Sequence, residues 1–145
     1  MNHKVFTRHD FLSINDIMSL NTEMQSLARL REDIFGVGQG GGVVRNLDTH
    51  LGAYTMASAD FINQIERNID ALAGTVPPAG MEPTRAWQGE NRDALLLSFR
   101  DVNRWFDSVT MIRRSLMGCD HNFKSTGSYV AGLCGIRQKM RSVDG

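Results

Sequence analysis

Three stretches of the chain place apolar residues at the same four offsets after a serine. Counted from Ser13, Ser58 and Ser98, the positions four, seven, eleven and fourteen residues on are Ile17, Leu20, Met24 and Leu27 in the first copy. They are Ile62, Ile65, Ile69 and Leu72 in the second, and Val102, Trp105, Val109 and Ile112 in the third. All twelve are apolar in a chain that is 41% hydrophobic, so random spacing accounts poorly for the pattern. The 3-4-3 spacing is the a/d seam of a heptad, a narrow ridge along one side of an α-helix. No helix can bury such a ridge alone. The ridges must meet one another or the same ridges in neighbouring subunits, and the fold class follows: mainly α, three short helices of repeated design, minor β at most.

Each copy is punctuated. A serine hydroxyl at the N-cap accepts a bond from an orphan backbone N–H, and Asp16 and Asp101, three residues into copies one and three, sit where the helix dipole favours a carboxylate. Leu12 with Ile17, and Leu97 with Val102, have the spacing of a hydrophobic staple. In the second copy Phe61 stands where the acid would be. Gly36, Gly74 and Gly118 follow the last periodic turns, as C′ glycines do. The predicted helices are therefore about 14–35, 59–73 and 99–117, within repeat copies of about 12–35, 57–74 and 97–117, followed by an extended C-terminal tail over 118–145. Between them, 43–56 is expected as a short strand or an extended arm. The stretch 74–96 holds all three prolines and is long for a loop without structure of its own. In the tail, Tyr129 to Leu133 forms one apolar patch.

The totals exclude several function classes. At 145 residues the chain amounts to about one domain. Lys plus Arg number 16 and Asp plus Glu number 16, so no global basic field collects nucleic acid or anionic lipid. No stretch approaches the roughly 18 apolar residues of a membrane span, and the start MNHKVFTRHDF has no apolar signal segment. Two cysteines then point to free thiols under reducing conditions.

Candidate chemistry weighs little against simpler roles. GVGQGGG (36–42) lacks the preceding strand and following helix of a phosphate-cradling loop, and is better explained as a helix stop running into a linker. Cys119, His121 and Cys134, with His50 or Asp120 as a fourth ligand, lack the paired C-x₂₋₄-C spacing of a zinc site. No catalytic arrangement, metal site or cofactor is expected. Asp16, Glu23, Asp101 and Asp107 are expected as caps and solvated helix faces. Arg100, Arg104, Arg113, Arg114, Lys124, Arg137, Lys139 and Arg141 give the last third a basic lean, and helical spacing allows Arg100, Arg104 and Arg114 to share one side away from the stripe. Trp105 belongs to the stripe and the core. Trp87 either clips its loop onto the bundle, the favoured reading, or stands out as a partner anchor. Met18, Met24, Met56 and Met81 are gap-fillers.

The stretch RAWQGENRDALLLSFRDVNRWFDSV (85–109) resembles a segment of structural proteins in tailed phages and prophages of Gram-positive bacteria. There a Trp precedes a helix start of the form Leu-Ser/Thr-x-x-Asp-hydrophobic-Asn-Arg-Trp/Ile-Glu. Leu97, Ser98, Asp101, Val102, Asn103, Arg104 and Trp105 match, and Phe106 replaces the Glu. In SADFINQIERNIDALAG (58–74), Asn63, Ile65, Glu66, Asn68, Ile69 and Leu72 fit, with Gln64 for Arg and Phe61 for Asp. The first copy keeps Leu12, Ser13, Asp16 and the stripe. The resemblance covers about 45 of the 145 residues. It implies a non-enzymatic virion protein, assembled in the host cytoplasm, from the tail, baseplate, neck, head decoration or fibre attachment region. Its stripe residues would form helix packing or oligomer interfaces, and its partners would be copies of itself and other virion proteins, with no small-molecule substrate, nucleic acid or membrane. The alternative is a small helical regulatory or DNA-binding protein, although connectors this long do not suit a helix-turn-helix joint.

Overall fold

The computed structural model describes residues 5–10, 12–36, 44–47, 59–74, 77–87 and 98–126, with the backbone alone for Ala59, 120–123, Ser125 and Thr126. Among the described residues there are three helices: α1 (Ile14–Phe35), α2 (Ala59–Ala73) and α3 (Phe99–Thr126). Among the described residues there is no strand. Each helix packs against both others.

The starts are set locally. Ser13 Oγ accepts the Asp16 N–H at 3.1 Å, and the Asp16 carboxylate accepts the Ser13 N–H at 2.9 Å. A capping box therefore closes, although Asp is shorter than the usual Glu. Leu12 lies against the core as the staple requires. At α3 the Asp101 carboxylate accepts both the Ser98 N–H (3.1 Å) and its hydroxyl (3.2 Å). Ser58 and Leu97 lie outside the described residues.

Two of the three stops are placed as expected. Gly36 and Gly74 have φ of +103° and +75°, and donate to Glu32 O (2.7 Å) and Asp70 O (3.2 Å). The third expectation is wrong. Gly118 is an interior helical residue, and α3 continues to Thr126, so an extended tail does not begin at 118. Leu116 and Cys119 are both buried and prolong the stripe past Ile112. Their burial offsets the roughly 1 kcal/mol that an interior glycine costs. Nothing lies within 4 Å of a methyl added at Gly118. Replacing Gly118 by Ala should therefore raise stability by about 0.5–1 kcal/mol.

Gly74→Ala should do the reverse. Besides the unfavourable φ, its methyl would fall 2.6 Å from Arg31 Nη2. Arg31 is itself buried, donates to Leu72 O at 3.3 Å and lies over the Phe35 ring. It caps the C-terminal end of α2 and has little room to move. The backbone strain alone costs about 1–2 kcal/mol. Thermal unfolding of the two alanine variants checks both signs.

All twelve stripe residues are buried, none more than 5% exposed, and they are buried within a single chain. Helix packing is what they do, and the ridges are not left over for a second copy. The helices run in the same direction. The C-terminal end of α1 meets that of α2 through Arg31 and Leu72 O, the middles of α1 and α3 meet through Glu23, Ser26 and Arg113 while their later turns, at Asp33 and Lys124, line one cavity, and Glu66 in α2 meets Arg104 near the start of α3. Co-directional helices explain the connectors. The chain must return past the bundle each time, and the long segments 36–58 and 74–98 provide the reach for it. An ordinary short helix–helix loop could not span that distance.

Candidate functional site

The polar centre of the fold is a salt bridge between residues 38 apart in the chain. Glu66 on α2 is 2% exposed and Arg104 on α3 is 7% exposed. Arg104 Nη1 and Nη2 donate to Glu66 Oε1 and Oε2, each at 2.6 Å, in the bidentate fork that suits guanidinium to carboxylate. Burial alone would lower the Arg104 pKa, but the bonds and charges of Glu66 and Asp101 raise it above its ordinary value. The Trp87 indole N–H donates to Glu66 Oε2 at 2.9 Å, so both carboxylate oxygens are engaged. A carboxylate so occupied is a positioning group, and what it positions is the strap 77–87.

That strap fills the groove between α2 and α3. A turn closed by Met81 N–H on Pro78 O (3.1 Å) brings it alongside Met111 of α3. Arg85 then reaches Asp101 at 2.9 Å and lies over the Trp87 ring, 4.3 Å from its centre. The Asn63 side chain takes the Trp87 backbone from both sides, accepting its N–H and donating to its carbonyl at 2.7 Å each. The primary amide thus substitutes for the edge of a neighbouring strand.

The same device recurs. Asn68 accepts from Arg45 N (3.0 Å) and donates to Arg45 O (2.8 Å), between buried Val44 and Leu47. Asn103 accepts from Phe6 N and donates to Phe6 O, both at 2.8 Å, while the Phe6 ring stacks on Phe106. On α1, Asn21 accepts from Leu47 N at 3.0 Å. The segment before each helix therefore lies on another helix in cyclic order: Leu47 on α1, Trp87 on α2 and Phe6 on α3. Leu47 and Trp87 both stand eleven residues before the serines of their repeats, Ser58 and Ser98.

Asp101 carries the site's pH dependence. Burial pushes its carboxyl up, but the Ser98 N–H, Arg104, the Ser98 hydroxyl and Arg85 outweigh it and hold the pKa below the ordinary 3.8. A depressed folded pKa contributes stability above the unfolded value, and that contribution is lost as pH falls through the folded one. The urea midpoint of the native chain should fall more steeply between about pH 5 and about pH 3 than that of Asp101→Asn. Equal slopes would show that Asp101 contributes no pH dependence.

Several expectations are corrected here. Trp87 is buried and is not a partner anchor; it clips its loop to the bundle. Arg104 does not share an outer basic face with Arg100 and Arg114, because Glu66 draws it inward. Arg113 pairs with Glu23, so that acid is not simply solvated. Met18 is 49% exposed and fills no gap, whereas Met24 is buried and Met81 lies against the core. Cys119 is disulfide-bonded and not a free thiol. His50, Met56, Cys134, Tyr129, Leu133, Arg137, Lys139, Arg141 and the 37–42 run lie outside the described residues, as do the side chains of Asp120 and His121. Among the described residues no three His, Cys, Asp or Glu converge as metal ligands, and no helix is long and apolar enough to cross a membrane. Periodicity does not single out the clamps Asn21, Asn63, Asn68 and Asn103 or the Glu66–Arg104 pair. Their one signal is a polar residue next to an apolar ridge, matched by the phage-like motif at Asn63, Glu66, Asn68, Asn103 and Arg104. Compared with known proteins, the chain matches no family model, no curated protein and no solved structure.

Proposed function

We propose that the chain is a non-enzymatic structural component of a tailed phage or phage-derived particle, a docking element of the tail, baseplate or fibre attachment region. One observation carries this reading: three of the residues that resemble the phage segment, Asn63, Asn68 and Asn103, clamp extended chain onto helices, and others of them build the core and ion pair beneath. Asp101 caps α3, Asn103 holds Phe6, Arg104 grips Glu66, Trp105 fills the core, and Asn63 and Asn68 hold the two connectors. A scaffold whose surface is organised to hold extended polypeptide suits assembly from interlocking subunits. Self-association, if it occurs, uses a surface other than the stripe. In this role the protein sediments with particles and elutes as an assembled species or with a particle component. A chain that stays monomeric at high concentration and is missing from purified particles overturns the proposal. Binding to DNA that weakens steeply with salt would favour the regulatory alternative instead.

A further inference from the structure

α3 runs past the point at which its own sequence would end it. Residues 118–126 read GCDHNFKST, and every one but Lys124 is a weak helix former, the glycine weakest of all. The helix nonetheless continues to Thr126. Cys119, at the start of this continuation, is 1% exposed and disulfide-bonded. The sequence has one other cysteine, so the partner within the chain is Cys134, and the bond closes a loop of 14 intervening residues. The bond also sits where the bundle is thinnest. Ile34 and Cys119 stand twenty-one residues after Ser13 and Ser98, and Leu116 stands eighteen after Ser98. α2 ends only fifteen after Ser58, at Ala73. Two helices rather than three wall this last layer of the core, yet Ile34, Leu116 and Cys119 are all buried.

We propose that this disulfide is a redox latch that decides where α3 ends: oxidised, the helix continues to Thr126; reduced, it stops at Gly118 and the turns beyond melt. Gly118 suits both states. It is tolerated inside the helix, and it can take the left-handed C′ conformation that Gly36 and Gly74 adopt at the ends of α1 and α2. Closing the latch is thiol–disulfide exchange. The thiolate of one cysteine attacks a small-molecule disulfide such as oxidised glutathione, forming a mixed disulfide and expelling one thiolate. The other cysteine attacks the protein sulfur of that mixed disulfide and expels the second. The protein gives up two electrons and two protons, and the small molecule leaves as two thiols; opening is the reverse. Fraying of the turns beyond Gly118 uncovers the sulfur without unfolding the rest of the bundle, so a reductant reaches the bond through local opening.

The latch does not depend on the docking role proposed above. Amide hydrogen exchange of the full-length chain, equilibrated in glutathione mixtures from oxidised to reduced, tests it. Reduction is expected to speed exchange of the 120–126 amides about a hundredfold, as befits a disulfide that closes a loop of this size. The amides of α2 and of the first half of α3 should keep their rates. Cys134→Ser should show the reduced pattern in every mixture. Gly118→Ala should narrow the difference about threefold, by favouring helix once the bond is open. A bond that fails to form in the oxidised mixture, or that stays closed in excess reduced glutathione, overturns the latch. Exchange that speeds evenly through all three helices overturns it in favour of a global staple. Amides of 120–126 that ignore reduction, or a Cys134→Ser chain that keeps the oxidised pattern, overturn it outright.

Discussion

Glu66→Ala is expected to lower unfolding free energy by about 3–5 kcal/mol, the largest effect of any polar substitution among the described residues. The reason is asymmetry. With Glu66 gone, Arg104 keeps only a 3.3 Å contact to Asp101 for a guanidinium that is 7% exposed, and the Trp87 indole N–H loses its acceptor. A buried charge without its partner costs more than the intact pair contributes. Glu66→Gln should be milder, because the amide oxygen still accepts from Trp87. Glu66→Met with Arg104→Met should recover most of the loss, since neither charge then remains to be desolvated. Urea unfolding gives the free energies. Trp87 fluorescence in a Trp105→Phe background reports the strap separately, and its emission should shift to the red in Glu66→Ala before the helices melt. A loss under about 1 kcal/mol with an unshifted Trp87 would mean that the pair does not hold the strap.

Trp105→Ala should cost a comparable amount, about 3–5 kcal/mol, through a different mechanism. Trp105 is fully buried between Val102 and Val109 in the stripe. Its removal leaves a cavity in a core of fully buried side chains that cannot be filled without moving backbone. Its indole N–H has no acceptor among the described residues. Burying such a group itself costs about 1–3 kcal/mol. Trp105→Phe removes that orphan donor along with part of the volume, so its loss should be well under half that of Trp105→Ala. Unfolding followed by far-ultraviolet circular dichroism separates the two. A Phe variant as damaged as the Ala variant would show that the orphan N–H carries no penalty.

How much is legible in the sequence varies by kind of residue. The twelve ridge positions are all buried, and Ser13, Asp16, Gly36 and Gly74 do what their positions predict. Gly118 misleads because a glycine signals a stop only if nothing beyond it repays continuing, and Leu116 and Cys119 do. Trp87 stays ambiguous because a tryptophan in a polar, Pro-containing stretch is equally compatible with burial and exposure until its indole acceptor is known. Glu66 and Arg104 carry no mark in isolation, since acids and arginines usually lie on solvated helix faces. The asparagine clamps are harder still: an Asn on a helix is a weak signal alone, and its meaning here lies in the backbone of residue 6, 45 or 87.

The sequence alone therefore determined the number of helices, the ridge each would bury and two of their ends, because these depend on contacts within about four residues along the chain. Tertiary structure decided that the helices run in one direction, that α3 passes Gly118, that Glu66 finds Arg104 38 residues away, and that extended segments lie in the grooves between helices. These outcomes depend on which groups meet after long loops close. A carboxylate, an arginine or an amide is stabilised or penalised only by the partner that folding brings to it, and spacing along one helix does not record that partner.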